Sequence, residues 1–279
     1  MFKRQRSVPG HNGQMEIAEH VDALSEYGRS LATGAERAGL DAPVPPCLPW
    51  RVKDLLRHVG YIHRWAAKHI TDQPAEVVDG PPEEEILKGG APDGELLAWF
   101  RDGHAMLVEL LRTADPDLRT AVLMPGSPSP LAFWARRQAH ETAIHRADAE
   151  CAAGLEPAFA SDFAADGIDE LIMGFGRRRK YQPSAAGQPG GDPAVGKDAL
   201  RIATTDTGHA WYAEARDGRL HPRRAAGTDA AAGCAVTGPA SGLYLYLWNR
   251  ADAARAGVQL DGDPALLTCW QSAVRVRWS

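Results

Sequence analysis

The sequence of residues 133–150 is FWARRQAHETAIHRADAE, and the rest of the chain is organised around this predicted helix. At about 100° per residue, Glu141 and His145 lie about 40° apart on one helical face, and Asp148 returns almost to the line of Glu141. Such a stripe can supply two ligands to a divalent metal and one group that orients the imidazole. His140 points about 100° away from Glu141, outside that set. The stripe also occurs where Glu and His only solvate a helix, and the motif alone favours that interpretation unless another helix adds a third ligand.

A second predicted helix, residues 50–70 with the sequence WRVKDLLRHVGYIHRWAAKHI, offers that ligand. His58 lies on its apolar face, so its imidazole is expected on the core side. A lone histidine in that position is more often a satisfied core residue than a ligand. The functional interpretation gains weight because the central helix also offers an inward glutamate and histidine. Asp54, four residues before His58, could orient its imidazole, whereas His63 is about 140° away around the helix.

Two more amphipathic segments complete a predicted helical bundle. Residues 15–40 and 93–113 carry apolar side chains at helical spacing, and proline-containing connections separate the segments. His104 is a further inward candidate, although a core or surface position is more common for a lone histidine. Four helices joined in this way predict a four-helix bundle over residues 15–157, an architecture that builds metal sites from facing helices. Residues 1–14 are predicted to be a flexible basic tail without a secretory signal.

The pattern changes to mixed strands and helices over residues 158–279, which predicts a smaller α/β domain. Asp217 and Gly218 predict a hairpin turn, and residues 182–197 are predicted to form a mobile loop. The basic run 177–180 is predicted to be a solvated helix end, with a phosphate or acidic-ligand site as the less favoured alternative. Strands are expected at 200–205, 210–215, 234–238 and 258–263, and helices at 161–178, with Ser161 as N-cap, at 240–250 and at 264–272.

Composition narrows the class of protein. With 279 residues and a formal charge of −5, the chain has no general attraction to nucleic acid or to an anionic membrane. No apolar run approaches the roughly 20 residues of a membrane helix. The four cysteines are widely separated and form no CxxC pair, which is typical of reduced thiols in a cytoplasmic protein.

Several stretches together resemble the mycothiol-dependent maleylpyruvate isomerase family. They are WRVKDLLRHVGYIHRWA, WARRQAHETAIHRADAE, and GPASGLYLYLWNR followed by GDPALLTCW, in the family's order and spanning nearly the whole chain. The resemblance implies an N-terminal DinB-like four-helix bundle that carries a divalent metal, followed by a C-terminal α/β domain. The family's ligands are a histidine on the second helix and a glutamate and histidine on the fourth, which correspond to His58, Glu141 and His145.

The resemblance also assigns a role to an arginine. The arginine that ends the family's LWGR motif matters for activity, and Arg250 occupies the matching position. It is therefore a candidate catalytic and cosubstrate-binding residue, able to clamp a carboxylate. The structural alternative is a salt bridge or a helix-end contact inside the second domain. The chain departs from the family pattern at Asn249, where the family has glycine, and at Ala147, where an aromatic residue is common.

These residues lead to a hypothesis about chemistry. Three protein ligands with an open position are typical of catalytic zinc, the divalent ion that this ligand set suits best, and a thiol docking there loses its proton. Metal-held mycothiol would then attack an electrophilic small molecule, with His58 in the catalytic set and Asp54 and Asp148 orienting the imidazoles. Expulsion of the thiol gives cis–trans isomerisation, and retention gives S-transfer. The altered LWNR motif and the long loop at residues 182–197 slightly favour S-transfer. Such a transfer would suit actinobacterial secondary metabolism.

Two other functional classes stay open at this point. The site could activate water in a metal-dependent hydrolase, or the bundle could bind metal or thiol without turnover. The sequence does not identify the substrate, and it is compatible with a monomer or a homodimer.

Overall fold

Four long helices form the first half of the molecule. The computed structural model describes residues 15–124, 126–176, 199–216, 219–225 and 232–274. Two of the helices, α1 and α2, lie diagonally across the bundle, and each packs against both of the others, α4 and α5. The predicted N-terminal bundle is therefore confirmed. The helices are α1 (Ile17–Ala38), α2 (Val52–Asp72), the short α3 (Glu83–Lys88), α4 (Leu96–Thr113) and α5 (Pro130–Ala152), with 3₁₀ turns at Pro45–Cys47 and Asp93–Glu95.

Helix α5 is the central element of the fold. Its start is well defined, because Ser129 Oγ accepts a hydrogen bond from the backbone N–H of Ala132 at 3.1 Å and Pro130 occupies the first helical position. Every residue from 137 to 149 is buried, so the helix has no solvent-facing side along this stretch. Since eight of these residues are polar or charged, their side chains must find partners inside the protein.

The second half of the molecule is built on a five-stranded mixed sheet, which confirms the predicted α/β character. The strand order is β3-β2-β1-β4-β5; β1 and β4 are parallel, and all other neighbours are antiparallel. The strands are β1 (Ala199–Thr204), β2 (Ala210–Arg216), β3 (Arg219–Arg224), β4 (Cys234–Gly238) and β5 (Gln259–Gly262). The helices are α6 (Ser161–Asp169), which continues into a π-helical turn (Glu170–Phe175), α7 (Ala240–Leu247) and α8 (Pro264–Val274).

One continuous hydrophobic core joins the two halves. It includes Ile144 of α5, Ile168 of α6, Leu243 of α7 and Val236 of β4. The boundary predicted between residues 157 and 158 falls in the connection from α5 to α6. Within the described chain, none of the helices combines the length and apolar composition needed to cross a membrane.

Two elements were not predicted, and one predicted cap is wrong. Strand β3 contains Pro222 and lacks a clear alternation, but it lies at the sheet edge, where a proline is tolerated. Helix α3 was predicted as a polar connection. Ser161 is not the N-cap of α6, because Ala160 takes that position and the Ser161 hydroxyl donates to Asp206 at 2.7 Å. The predictions for residues 1–14, 177–180, 182–197 and the turn at Asp217 and Gly218 lie outside the described residues.

Candidate metal centre

Three side chains from two helices meet between α2 and α5. His58 of α2 places its Nε2 atom 3.4 Å from Glu141 Oε1, and His145 of α5 places its Nε2 atom 3.3 Å from the same oxygen. All three residues are buried. The structure therefore brings together the three residues that the family resemblance assigns as ligands.

The spacing of these atoms fits a divalent cation. Zinc bonds of 2.0–2.1 Å in a tetrahedral arrangement place two ligand atoms about 3.3 Å apart. The two nitrogen–oxygen separations, 3.3 and 3.4 Å, match that value, and the three ligand atoms all lie within 4.8 Å of one another. Two imidazole nitrogens and a carboxylate oxygen are also a donor set that suits zinc.

Each histidine is held by a carboxylate on its other ring nitrogen. His58 Nδ1 lies 2.9 Å from Glu83 Oε1, and His145 Nδ1 lies 2.9 Å from Asp148 Oδ2. A carboxylate on Nδ1 fixes the orientation and tautomer of a metal-binding imidazole, so that Nε2 is the coordinating atom. His58 and His145 thus each have the carboxylate on Nδ1 that metal-binding histidines usually have.

The structure corrects the predicted role of Asp54. Glu83 contacts His58 Nδ1 where Asp54 was expected, while Asp54 accepts a hydrogen bond from the backbone N–H of Arg51 at 2.8 Å. Asp54 lies in the first turn of α2, where the unpaired backbone N–H groups attract a carboxylate. Helical spacing could not reveal Glu83, because it belongs to α3 in the connection between α2 and α4.

Arg250 joins the second half of the chain to this site. Its Nε atom donates to Asp148 Oδ1 and its Nη2 atom to Asp148 Oδ2, both at 2.9 Å, and its Nη1 atom donates to the Trp248 carbonyl at 2.8 Å. Nη2 also contacts Cys47 Sγ at 3.2 Å. The fork of Arg250 is therefore paired with Asp148 in this structure, and a contact between Arg250 and a substrate or cosubstrate stays a prediction. The salt bridge considered as an alternative exists, but it crosses to α5, whereas the contact with the Trp248 carbonyl is the expected helix-end contact inside the second domain.

The departure at Asn249 has a backbone explanation. Asn249 has φ 59°, in the left-handed region that glycine adopts freely and that asparagine tolerates better than most residues. Asparagine can therefore stand where the family has glycine and still direct the next residue, Arg250, toward Asp148.

Charge also favours a cation at this position. Burial raises the pKa of Glu141, but its hydrogen bonds with His145 and His58 outweigh burial and hold that pKa well below its usual range. Burial lowers the pKa of His58, whereas the carboxylates of Glu141 and Glu83 raise it to about 9. A histidine that binds a metal ion is neutral. With both histidines in that form, the carboxylates of the hydrogen-bonded network around the site carry two more charges than its guanidinium groups, and one divalent ion would balance them. These groups are Glu83, Glu141, Asp148 and Glu170 on one side and Arg137 and Arg250 on the other.

A cavity of about 330 Å³ opens beside the three residues. His58 and Glu141 form part of its wall, and most of the remainder is aliphatic or aromatic. The apolar wall includes Tyr61, Ile62, Trp65, Pro81, Ile86, Leu123, Met124 and Phe175. A small organic molecule in this cavity would lie next to the candidate metal ligands.

A second histidine cluster lies elsewhere on α5. His20 Nε2 and His140 Nε2 lie 2.9 and 2.8 Å from Asp166 Oδ2, and Arg136 Nε donates to the same oxygen at 2.9 Å. These are hydrogen-bond distances, and the guanidinium already neutralises the carboxylate. His140 thus stays outside the first cluster, as its helical angle predicted. The other inward histidines also have ordinary partners, since His63 Nε2 contacts Thr142 Oγ1 at 2.8 Å and His104 Nε2 the Leu24 carbonyl at 3.0 Å.

Comparison with known proteins agrees with this architecture. Residues 21–150 match the model of the mycothiol maleylpyruvate isomerase N-terminal domain, and residues 162–268 match the model of the C-terminal domain of that family, MDMPI. Crystal structures of a mycothiol-dependent maleylpyruvate isomerase and of its histidine-to-alanine mutant each align with a TM-score of 0.59 and 14% identity, over 88% of this chain and 93% of that chain. No curated protein matches significantly. Because the two domain models follow one another along most of the sequence, the chain belongs to the mycothiol-dependent maleylpyruvate isomerase family.

Proposed function

We propose that this protein is a mycothiol-dependent enzyme in which His58, Glu141 and His145 hold a divalent metal, with zinc best suited to them. The observation that carries the proposal is the convergence of two imidazole nitrogens on one carboxylate oxygen at 3.3 and 3.4 Å, beside a cavity large enough for a small molecule. Both domain models point to the same thiol cosubstrate. A divalent ion bound here would supply the positive charge that lowers the pKa of an incoming thiol below neutrality.

The described cysteines of the chain are poor substitutes for that thiol. Burial and the neighbouring Asp148 raise the pKa of Cys47 to about 12, even though Arg250 opposes the effect. Burial also raises the pKa of Cys151 and of Cys234. All three are free thiols, which supports the proposed cytoplasmic location. The nucleophile is therefore assigned to the cosubstrate.

The proposed reaction is reversible addition to an activated double bond. The mycothiol sulfur forms a bond to the alkene carbon β to a carbonyl group, and the π pair moves toward the carbonyl oxygen. The former double bond is now single and rotates; the pair then returns, the carbon–sulfur bond breaks and the thiolate leaves. No electron or thiol is consumed, and the product is the trans isomer. Protonation at the α-carbon instead would retain the sulfur and give S-transfer.

Isomerisation is now the better supported of the two outcomes. S-transfer was slightly favoured because the LWGR motif is altered and the loop at residues 182–197 is long. Asn249 adopts a conformation that glycine would also adopt, and the loop lies outside the described residues. The alteration therefore carries no evidence for a different acceptor. The roles in this mechanism are divided simply: His58, Glu141 and His145 are the proposed ligands, and Glu83, Asp148 and Arg250 are positioning residues.

Cobalt substitution tests the proposal directly. A thiolate ligand produces an intense near-ultraviolet charge-transfer band on cobalt, which a water ligand does not. We expect the band on adding mycothiol to the cobalt protein, its absence in His58→Ala, and its retention in His221→Ala, which removes an exposed imidazole on β3. Cobalt binding with no such band would contradict the thiol chemistry and favour a hydrolase that activates water. A band without turnover of any electrophile would favour a thiol-binding protein.

A further inference from the structure

The two oxygens of the Glu141 carboxylate have different surroundings. Both imidazoles converge on Oε1, with His58 Nε2 at 3.4 Å and His145 Nε2 at 3.3 Å. Oε2 accepts a hydrogen bond from Arg137 Nη2 at 3.0 Å. Arg137 precedes Glu141 by four residues on α5, a spacing that brings two side chains together on one helical face. One oxygen of the carboxylate therefore faces the candidate metal position, while the other is bonded to a guanidinium group.

The guanidinium group of Arg137 is itself held in place by the second half of the chain. The residue is 3% exposed, and its Nη1 atom donates to Glu170 Oε2 in the π-helical turn that follows α6. Its Cζ atom lies 5.2 Å from the ring centre of Phe175 and 5.7 Å from that of Trp248. A planar guanidinium that is bonded at two nitrogens and lies over aromatic rings has little freedom left. The donor to Glu141 Oε2 is thus fixed in advance of any ligand.

This arrangement restricts how Glu141 can bind a cation. A carboxylate coordinates a metal ion through one oxygen or through both. To use Oε2 as well as Oε1, Glu141 would have to release a charge-assisted hydrogen bond and leave one arm of a buried guanidinium without its partner. The contact with Arg137 therefore favours coordination through Oε1 alone.

Coordination through one oxygen suits the proposed chemistry. Together with His58 and His145, it gives three bonds from the protein and leaves a position where a thiol can bind. A bond from the second oxygen would compete for that position. The coordination mode also affects the choice of ion, because zinc accepts a tetrahedral shell, whereas manganese prefers an octahedral shell rich in oxygen and gains from each further carboxylate bond.

We propose that Arg137 is a positioning residue that restricts Glu141 to coordination through Oε1, and that it thereby favours zinc over manganese and keeps a position open for the thiol. The inference rests on the proposed metal site. It goes beyond that site because it concerns the binding mode of one ligand and the residue that sets this mode.

The ratio of two metal affinities provides the first test. Both ions carry two positive charges, so loss of the guanidinium charge changes the two affinities by similar factors, and their ratio reports the coordination mode. In Arg137→Met, the dissociation constant for manganese divided by that for zinc should fall by about tenfold, an effect typical of the partners that orient metal ligands. Competition with a chromophoric chelator measures both constants. Weaker binding of both ions at an unchanged ratio would give Arg137 a merely structural role and overturn the inference.

Two further variants make this test independent of folding. Arg137→Met leaves Glu170 unpaired in the interior, whereas Arg137→Met combined with Glu170→Leu removes both charges, a replacement that buried ion pairs often tolerate. The double variant should show the same fall in the ratio. Arg146→Met is the matched control, because Arg146 forms an i,i+4 pair with Glu150 on the same helix. It should keep the wild-type ratio, and an equal fall in this control would contradict the role given to Arg137.

A crystal structure of the manganese-loaded protein provides the second test. In the wild type, Glu141 should bind through Oε1 with Oε2 still bonded to Arg137, and in the double variant both oxygens should bind the ion. Both oxygens on the ion in the wild type would overturn the inference.

The kinetic and metal-binding results separate this inference from the proposed function. An unchanged metal ratio in Arg137→Met with a raised KM for the electrophile would assign Arg137 to substrate binding and overturn the inference, while the metal site would stand. A wild-type protein that binds no zinc after dialysis would contradict the proposed function and this inference together.

Discussion

Helix α5 carries two buried histidine clusters that share a composition and differ in geometry. Each combines two imidazoles with one carboxylate, His58 and His145 with Glu141 in the first, His20 and His140 with Asp166 in the second. In the first, the nitrogen–oxygen separations of 3.3 and 3.4 Å exceed a good hydrogen bond. In the second, they are 2.9 and 2.8 Å.

The partners of the two clusters explain the difference. In the first, the outer ring nitrogens face further carboxylates, Glu83 and Asp148, so negative charge accumulates around the imidazoles. In the second, Arg136 shares the carboxylate oxygen and His140 Nδ1 contacts the Tyr244 hydroxyl at 3.0 Å. Composition alone therefore does not identify a metal site. The distance between nitrogen and oxygen atoms, and the charge of the side chains around the imidazoles, determine whether a cluster suits a cation or forms a hydrogen-bond network.

The largest expected effect is on metal content. Glu141→Ala should reduce bound divalent metal from about one ion per chain to nearly none, because a single carboxylate oxygen faces both imidazoles. His140→Ala should leave the content at one. Elemental analysis after dialysis measures both. Loss of metal in His140→Ala with retention in Glu141→Ala would reverse the assignment of the two clusters.

The second cluster is expected to affect the free energy of unfolding instead of metal binding. Asp166→Ala leaves the largely buried Arg136 without its main partner and should lower the free energy of unfolding by about 3 kcal/mol, as for other broken buried pairs. Although burial opposes it, Arg136 holds the pKa of Asp166 well below its usual range. The stabilising contribution is thus complete above about pH 4 and declines as pH falls further.

Denaturant unfolding at pH 7 and at pH 3 measures this contribution, with Asp162→Ala on the first turn of α6 as the control. The gap between wild type and Asp166→Ala should narrow at pH 3. If the difference in the free energy of unfolding instead widens at low pH, the Asp166 carboxyl takes up a proton in the native state and its pKa is not lowered.

Glu83 should have an intermediate effect that is confined to the first cluster. Glu83→Gln weakens the partner of His58 Nδ1 and should reduce metal affinity by about tenfold to a hundredfold. The neighbouring Glu84, which pairs with Lys88 at the surface, offers a matched control in Glu84→Gln. Competition with a chromophoric chelator gives both affinities. Identical affinities would leave Glu83 with a structural role only.

The smallest expected effect is on the free energy of unfolding, from substitutions at Asn249, whose backbone conformation directs Arg250 toward Asp148. Asn249→Gly should change the free energy of unfolding by less than about 0.5 kcal/mol, whereas Asn249→Ala should cost about 1 kcal/mol at this positive φ. Thermal unfolding compares the two variants. A larger loss in Asn249→Gly would mean that the asparagine side chain, and not the left-handed backbone, supports the contact with Asp148.

Local periodicity accounts for the parts of the molecule that the sequence predicted well. The bundle helices and the pairing of Glu141 with His145 follow from spacing along one element. His58 was a candidate because of its position on the apolar face of the second helix, and the resemblance then assigned it as a ligand. Glu83 was missed because a contact from a loop helix leaves no periodic signal. The link from Arg250 to Asp148 was missed because it joins residues about a hundred positions apart. The burial of every residue of α5 from 137 to 149 was also unexpected, since an apolar stripe predicts one covered face and not two.

Because α5 is buried between the two halves along residues 137–149, the halves cannot be separated without exposing its polar side chains. Its side chains Arg136, Arg137, His140 and Asp148 have their partners beyond residue 157, in Asp166, Glu170, Tyr244 and Arg250. A truncated bundle would leave Arg136 and His140 without these partners, whereas Arg137 and Asp148 would each lose one partner and keep another, Glu141 and His145 respectively. The N-terminal half is consequently not a portable module, and grafting its ligands onto another scaffold would require the C-terminal half as well.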